Sequence, residues 1–392
     1  MLCKHGVIKD LSSQSFMAGI LAAFVGFSSS FAIVVQGLRA VGASPAEAAS
    51  GLMAVSIAMG LCGILLSFKT AMPVSAAWST AGAAFLATLT PLPGGFSTAV
   101  GAFVITALLF MLAGLFKPLG RAVAAIPTPL AAAMLAGVLL PLCLAPFEAV
   151  IRFPLPGLTI ILVWAVVARI KRLLAVPAAV CAAALLIAVT VDIDGARIQW
   201  WAPPVMVTPR FSPAAAVGIA LPLFIITMAS QNITGMAVLN SFGYRPNAGS
   251  MFTWTGAFSL ASAPFGGHAV NLAAITTAIC ASDEAHADAA RRYWAAVVSG
   301  ATYVVFGLLS VAAAAFISVS PPILIAAVAG LALLGTLAGS LVSALSGEAD
   351  REAALITFLI TASEVTLFGI TGVFWGLLGG GALYLWNRRR KS

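Results

Sequence analysis

Residues 261–275 read ASAPFGGHAVNLAAI and interrupt a long apolar part of the chain. A proline and two glycines break the apolar run, and His268 and Asn271 follow them directly. In hydrocarbon, a broken helix is tolerated only where protein surrounds it or where it lines a cavity. We therefore expect a half-helix that begins near Gly266 and Gly267 and directs unpaired N–H groups into such a cavity. Half-helices of this kind form the midplane substrate sites of many secondary transporters.

The composition indicates an integral membrane protein. The chain has 392 residues, of which 61% are hydrophobic and 8% are charged, against roughly 25% charged residues in soluble domains. Basic loops that face an anionic cytoplasmic leaflet explain the net charge of +8, so we expect lipid contacts and no nucleic-acid partner. The five cysteines are isolated, and HExxH, Walker A, GxSxG and paired acidic metal motifs are missing. We therefore expect no metal, no cofactor and no enzymatic activity.

Charges, prolines and glycine clusters divide the chain into fourteen apolar segments, since about 20 apolar residues cross a bilayer as a helix. The segments are residues 15–38, 46–67, 73–90, 97–116, 128–147, 155–169, 173–191, 214–240, 248–261, 264–281, 292–316, 321–345, 352–365 and 368–387. With both termini in the cytoplasm, sixteen of the twenty Lys and Arg residues fall inside, as the positive-inside rule requires. The sequence thus predicts an all-α polytopic membrane protein with fourteen transmembrane segments.

The two halves of the chain resemble each other. Residues 114–137 align without gaps on residues 307–330 at an offset of 193. The segment that opens at Pro73 falls near the one that opens at Pro264, at an offset of 191. Because seven segments per half is an odd number, the second half must run opposite to the first. We therefore predict a 7+7 inverted repeat. Its halves are residues 1–192 and 193–392.

Several stretches together resemble the benzoate/proton symporter (BenE) family over nearly the whole chain. They are residues 22–35 (AAFVGFSSSFAIVV), 72–82 (MPVSAAWSTAG), 131–139 (AAAMLAGVL), 230–239 (SQNITGMAVL), 263–276 (APFGGHAVNLAAIT) and 285–297 (AHADAARRYWAAV). The resemblance implies uptake of an aromatic carboxylate such as benzoate with a proton across the inner membrane. The rival interpretation is an exchanger or channel for another small organic or inorganic anion.

The resemblance also implies a fold similar to nucleobase and sulfate permeases. In that fold a core, here about residues 15–116 and 214–316, moves against a gate, here about residues 128–191 and 321–387. Short extended pieces in segments 3 and 10 precede half-helices and meet near the midplane. Transporters of the nucleobase branch often have glutamates in segments 8 and 10, where this chain has Gln231 and His268. Their proton mechanism is therefore in doubt for this chain.

His268 is the only histidine in a predicted span and is the expected proton-coupling residue. Its unperturbed pKa of about 6.5 lets modest changes in environment move it across neutral pH. Ionisable groups at membrane depth are functional by default. The alternative is a structural, neutral histidine whose ring is satisfied by a backbone carbonyl. Asn271, one turn further on the same face of the expected half-helix, is a candidate for lining the site.

Polar side chains in three other segments are further candidates for substrate binding. Gln231 and Asn232 lie in the apolar run of segment 8, where they must either hold helices together or contact substrate. Ser79 and Thr80 begin the partner half-helix of segment 3, where N-capping and anion binding can coexist. The serines of segment 1 favour close helix packing, with Ser29 as the candidate for a hydroxyl that faces the site.

An aromatic substrate needs a flat apolar slot, and Phe27 and Phe265 are the candidates for its walls. A single aromatic residue packs more often than it binds a ligand, so packing is the alternative for both. Glu364 is a second candidate for proton relay, although its position in the gate favours a structural role. The sequence leaves the oligomeric state open, with a homodimer as one candidate assembly.

Overall fold

The computed structural model describes residues 11–116, 118, 127–190, 203–363, 365–367 and 370–389. The helices of the first half are α1 (Ser13–Ser28), α2 (Phe31–Ala40), α3 (Pro45–Thr70), α4 (Thr80–Ala87), α5 (Phe96–Leu115), α6 (Thr128–Arg152), α7 (Pro154–Ile170) and α8 (Ala175–Thr190). Those of the second half are α9 (Pro213–Ser241), α10 (Ala248–Ser262), α11 (Ile275–Ala281), α12 (Tyr293–Leu308), α13 (Ser310–Val319), α14 (Pro322–Leu345), α15 (Arg351–Ala362) and α16 (Gly372–Arg389). Four short strands complete the described structure: β1 (Ala76–Trp78), β2 (Val270–Leu272), β3 (Thr366–Leu367) and β4 (Ile370–Thr371). Glu364 lies outside the described residues.

Seven helical stretches of the described chain are long and apolar enough to cross a membrane. They are Ser13–Ala40, Pro45–Thr70, Phe96–Leu115, Thr128–Arg152, Arg172–Val189, Pro213–Ser241 and Pro322–Leu345. The other seven predicted segments also contain helices, but these helices are shorter or less apolar. Segments 3 and 10 fall short because each divides its length between a strand and a short helix. The protein is therefore a mostly helical membrane protein, and the count of fourteen crossings stays a prediction.

Local sequence explains where the longest described helices begin and bend. Ser44 and Glu47 form a reciprocal capping box at the start of α3, with Pro45 at its first position. Segment 8 forms α9, in which two π-helical turns, Ala216–Ala220 and Met228–Asn232, interrupt the α-helical ladder. Such π turns bulge a helix and re-aim the side chains that follow. The second turn places the polar residues of segment 8 opposite segment 10.

The helices pack in two groups. In the first, α3 and α1 pack on α12, and α5 packs on α10; in the second, α6 packs on α14 and α15, α15 on α16, and α7 on α8. Glycines allow the close crossings of the first group. A Cβ on Gly300 would lie 2.5 Å from the Gly60 carbonyl oxygen, and one on Gly249 would lie 2.8 Å from that of Gly114. Small residues at a crossing let two backbones approach, which is how apolar helices associate in lipid.

The strands β1 and β2 join segments 3 and 10 at the centre of the first group. They pair antiparallel, with Ala76 opposite Leu272, Ala77 opposite Asn271 and Trp78 opposite Val270. Each strand follows a proline-led stretch and precedes a short helix, α4 in segment 3 and α11 in segment 10. The extended pieces expected from the family resemblance are therefore present and paired.

Candidate functional site

The half-helix of segment 10 does not begin near Gly266 and Gly267, so that prediction was wrong. Gly266 adopts a φ of +89°, which favours glycine, and the Gly267 amide donates to the Ser262 carbonyl at 3.0 Å. The chain then runs extended through β2, and α11 begins only at Ile275. Pairing with β1 stabilises this extended backbone. The predicted unpaired amide at Gly267 is therefore occupied by protein.

Asn271 consequently does not share a helix face with His268. Asn271 lies in the strand β2, and His268 precedes that strand, outside any helix. Asn271 is fully buried, and its Nδ2 donates to the Leu272 carbonyl at 2.8 Å. Its Oδ1 is buried and has no partner among the described residues. The residue therefore presents one unsatisfied acceptor at the strand pair.

Side chains from other helices satisfy the amides of β2. The Val270 amide donates to Ser259 Oγ at 2.8 Å, and the Leu272 amide donates to Asn232 Oδ1 at 2.9 Å. Asn232 is completely buried, and its Nδ2 contacts the Met228 sulfur at 3.3 Å. Unpaired amides in hydrocarbon are costly, so these acceptors stabilise an extended segment that would otherwise be unfavourable. The geometry gives Asn232 a role in holding the strand.

His268 joins segment 10 to the start of α4. Its ring is 1% exposed, and Nε2 lies 3.0 Å from the Ser79 carbonyl oxygen. A carbonyl only accepts, so Nε2 carries the hydrogen and the neutral ring leaves a lone pair on Nδ1. Nδ1 is buried and has no partner among the described residues. One ring nitrogen thus matches the structural interpretation, while the other is the atom that can take up a proton.

Ser79 connects three segments at this point. It caps α4 by accepting from the Gly82 amide at 3.0 Å, and its hydroxyl lies 2.7 Å from Thr227 Oγ1 in segment 8. Its own amide donates to the Ala269 carbonyl at 3.1 Å. The sequence indicated the cap but missed Thr227. The available signal was its position four residues before Gln231, on the same face of a helix.

Segment 1 reaches the site through Ser30. Trp78 Nε1 donates to Ser30 Oγ at 2.8 Å, and Thr80 Oγ1 donates to the same oxygen at 3.2 Å. The Ser29 hydroxyl instead donates to the Gly26 carbonyl at 3.0 Å. The break between α1 and α2 lies at these two serines. Ser30 is therefore a functional candidate that the sequence did not single out from its neighbours.

The start of α4 offers unpaired backbone donors. The amides of Thr80 and Ala81, its first two residues, have no acceptor among the described residues. The following two amides are satisfied by Ser79. Unpaired N–H groups and the positive end of the helix dipole together favour an anion. This end of α4 is the part of the site with the chemistry to bind a carboxylate.

Accessibility separates the candidate residues into two sets. The fully buried set is Ser79, Asn232, Gly266, Gly267, His268 and Asn271, and the half-buried set is Phe27, Ser29, Thr80, Gln231 and Phe265. The Gln231 side chain makes no hydrogen bond to any described residue, unlike Asn232. Phe265 faces elsewhere, because it lines an apolar cavity of about 430 Å³ between α3, α10 and α12. Phe27, Thr80 and Gln231 are thus more accessible than the buried set.

Aromatic rings border this half-buried region. Phe27 stacks on Phe31 with ring centroids 5.6 Å apart. It also makes edge contacts with Trp78 at 5.3 Å and Phe306 at 5.1 Å. Aromatic rings prefer such offset and edge-to-face partners, so these rings form an apolar cluster of the kind that a flat ring favours. Segments 1, 3 and 11 supply these four rings.

Comparison with known proteins identifies the family of this chain. A family model, BenE, described as benzoate membrane transport protein, matches residues 9–385. The chain belongs to the BenE family. Inner membrane protein YdcO of Escherichia coli is 39% identical over 383 residues, covering 96% of both chains. The benzoate membrane transport protein of Acinetobacter baylyi is 32% identical over 383 residues, covering 96% of this chain and 95% of its own length.

The BenE chain also shares its fold with solved transporters of low sequence identity. The structure of SLC26A9 matches with a TM-score of 0.65 at 14% identity, over 97% of this chain and 66% of that one. The transmembrane domain of the cyanobacterial bicarbonate transporter BicA matches with a TM-score of 0.59 at 15% identity, over 94% of this chain and 97% of that one. At such identities the likeness establishes the fold alone.

Proposed function

We propose that this BenE-family protein imports benzoate or a similar aromatic carboxylate together with a proton across the inner membrane. The similarity to the benzoate membrane transport protein of Acinetobacter baylyi supports the substrate class. The similarity to the inner membrane protein of Escherichia coli supports the membrane. The observation that carries the proposal is His268, which is buried, bonded to the cap of α4 and unpartnered at Nδ1. This arrangement places a titratable atom beside a helix end suited to an anion. We assign the protein no enzymatic reaction.

The carboxylate would bind at the start of α4. The amides of Thr80 and Ala81 would replace part of the water that a carboxylate loses. Gln231 has a side-chain amide available to donate to the second carboxylate oxygen. The aromatic ring would lie against Phe27, because aromatic rings prefer offset and edge-to-face partners. A benzoate-like acid satisfies both ends of this site.

Proton coupling follows from the cost of moving charge. An aromatic carboxylate is ionised at neutral pH, and carrying it alone through a low-dielectric protein core is very unfavourable. One proton held at Nδ1 of His268 or on the substrate would make the loaded site nearly neutral. The empty carrier would return with His268 uncharged. Proton and substrate should then promote each other's binding equally, because linkage is reciprocal.

The packing supports an inverted repeat. If segments 1–7 correspond to segments 8–14, then α3 corresponds to α10 and α5 to α12. The contact of α3 with α12 and that of α5 with α10 are then one contact made twice. The β1–β2 pair agrees with the same symmetry. Exchanging the two halves turns the pair Ala76–Leu272 into the pair Trp78–Val270. We therefore retain residues 1–192 and 193–392 as the two halves, and the core and gate assigned from the family resemblance.

Arg152 and Arg351 provide a test of the inverted topology. They lie between segments 5 and 6 and between segments 12 and 13, which are equivalent places in the two halves, and both are exposed. In a variant without the native cysteines, Arg152→Cys should react with an impermeant maleimide on intact cells. Arg351→Cys should react only after the cells are opened. Labelling of both from one side would contradict the inverted repeat, and the reversed pattern would contradict the cytoplasmic termini.

Transport in reconstituted vesicles tests the function itself. With a proton gradient directed into the vesicles (acidic outside), the protein should concentrate labelled benzoate above the outside level. It should also move protons inward. A channel would only equilibrate benzoate, and an exchanger would need a counter-anion inside. Competition by aromatic acids, bicarbonate and nucleobases would identify the substrate class. Equilibration without accumulation would reject the symport proposal.

A further inference from the structure

Buried polar atoms without partners are concentrated in one part of the described structure. Six such side-chain atoms occur among the described residues, and five of them lie in segment 10 or on α12. The five are His268 Nδ1, Asn271 Oδ1, Trp294 Nε1, Ser299 Oγ and Tyr303 Oη. Buried polar atoms are almost always bonded to protein or to ordered water. Their concentration beside the proposed transport site therefore requires an explanation.

A cluster of buried hydroxyl groups lies at one end of the β1–β2 pair. Ser75 Oγ is 2.8 Å from Thr276 Oγ1, and Thr277 Oγ1 donates to the Ser75 carbonyl at 3.3 Å. Tyr303 lies close to the side-chain oxygens of Thr276 and Ser299, in a geometry that leaves its own hydroxyl and that of Ser299 unpaired. We call Ser75, Thr276, Ser299 and Tyr303 the hydroxyl cluster. All four are buried.

Helix α1 is shaped to accommodate this cluster. A Cβ added to Gly26 would overlap the Tyr303 hydroxyl and lie 3.0 Å from Thr276 Cγ2. A glycine at that position thus leaves room for the Tyr303 oxygen between three helices. The Cys280 thiol is the other titratable group that faces Tyr303. Tyr303 and Ser299 are four residues apart on α12, so their side chains share one face.

Asn271 lies between the hydroxyl cluster and His268. It pairs with Ala77, midway along the strand between Ser75 in the cluster and Ser79, which holds His268. Ser79 lies four residues after Ser75 along extended chain, a span of about 13 Å. Asn271 stands opposite the middle of that span. We call His268 Nδ1, Asn271 Oδ1, Ser299 Oγ and Tyr303 Oη the row of unpaired atoms.

We propose that this row holds internal water and conducts the coupled proton between His268 and the end of α12 that begins at Tyr293. The inference rests on the proposed proton symport. A buried water needs two to four polar partners, which the unpaired amide and hydroxyl oxygens supply. Nδ1 of the protonated ring releases its proton to a water, and each water or hydroxyl oxygen accepts one proton while it passes on another. Asn271 Oδ1 only accepts a hydrogen bond, so it holds a water of the path in place. Every O–H bond that breaks is replaced, so Tyr303 and Ser299 end uncharged.

Removal of the Tyr303 hydroxyl tests this path. Tyr303→Phe keeps the ring but removes the oxygen, and Ser299→Ala removes the next one. Each should slow benzoate-coupled proton uptake about tenfold, the effect on a rate of losing about one hydrogen bond. Exchange of labelled for unlabelled benzoate, which needs no net proton movement, should stay within about twofold of the wild-type rate on the same grounds. Thr361→Val removes the sixth unpaired buried group, in α15, and should leave both rates unchanged.

The pH-sensitive dye pyranine inside the vesicles would measure proton uptake, and labelled benzoate would measure the rate of benzoate exchange. Loss of coupled proton uptake with exchange retained supports the path. Equal loss of both activities in Tyr303→Phe and Ser299→Ala would show a structural role and overturn it. Normal proton uptake in the double variant would also overturn it, while leaving the symport intact. Absence of benzoate-coupled proton uptake in the wild-type protein would reject the symport and this inference together.

Discussion

Replacement of His268 by glutamine should abolish benzoate accumulation driven by a pH gradient while preserving benzoate exchange. Glutamine can still donate to the Ser79 carbonyl, as Nε2 does at 3.0 Å, but it cannot bind a proton in the physiological range. One pH unit is worth about 1.4 kcal/mol per proton, so one coupled proton supports about tenfold accumulation. In His268→Gln the ratio of inside to outside benzoate concentration should fall to one. Labelled benzoate in vesicles with an imposed gradient measures it directly.

His286 offers a matched control for this experiment. It lies in the loop between α11 and α12, where its Nδ1 accepts from the Asp288 amide at 2.9 Å. His286→Gln should therefore accumulate benzoate like the wild-type protein. If His268→Gln also concentrated benzoate at the wild-type rate, the proton would be carried by another group. Glu364 would then become the next candidate.

Much of segment 3 could be predicted from sequence because its determinants are local. Ser79 is a favoured N-cap residue, and the residues that follow it are small helix formers. Segment 10 could not be predicted in the same way. Its β2 strand is stabilised by Asn232, forty residues earlier, and by Ser259 on the preceding helix. The small residues after the two glycines locally favour a helix. Only the tertiary contacts of β2 make the extended conformation more stable.

The same limit applies to the site. His268 could be found because a histidine at membrane depth is unusual. Ser30, Thr227 and Tyr303 could not be found with equal ease, because hydroxyl residues are common in apolar helices and often bond to their own backbone. Their importance depends on which helix they face. The sequence therefore singled out the rare titratable group, whereas only the structure shows which hydroxyl groups lie near the β1–β2 pair.

Gly267→Val should reduce benzoate transport about a hundredfold while the protein still inserts and folds. A Cβ at Gly267 would lie 2.5 Å from Ser262 Oγ and 2.6 Å from Ser262 Cβ. Overpacking of this kind typically costs about 1–3 kcal/mol, which a protein of this size can tolerate. The adjacent His268 would be displaced from Ser79, however, and a misplacement of about 1 Å at a functional group can cost about a hundredfold in rate. Transport rate and thermal stability in detergent would be measured together.

Gly339→Val is the matched control, because a Cβ at Gly339 meets nothing within 4 Å. It should transport and melt like the wild-type protein. The pair Gly267→Ala and Ser262→Gly then separates two reasons for the loss. Ser262→Gly removes both atoms that the new Cβ would strike, so the double variant should recover transport if displacement of His268 is the cause. A double variant that folds but stays inactive would contradict that cause. It would indicate that the backbone at Gly267 approaches the substrate directly, which the hydrogen bond from Gly267 to Ser262 argues against.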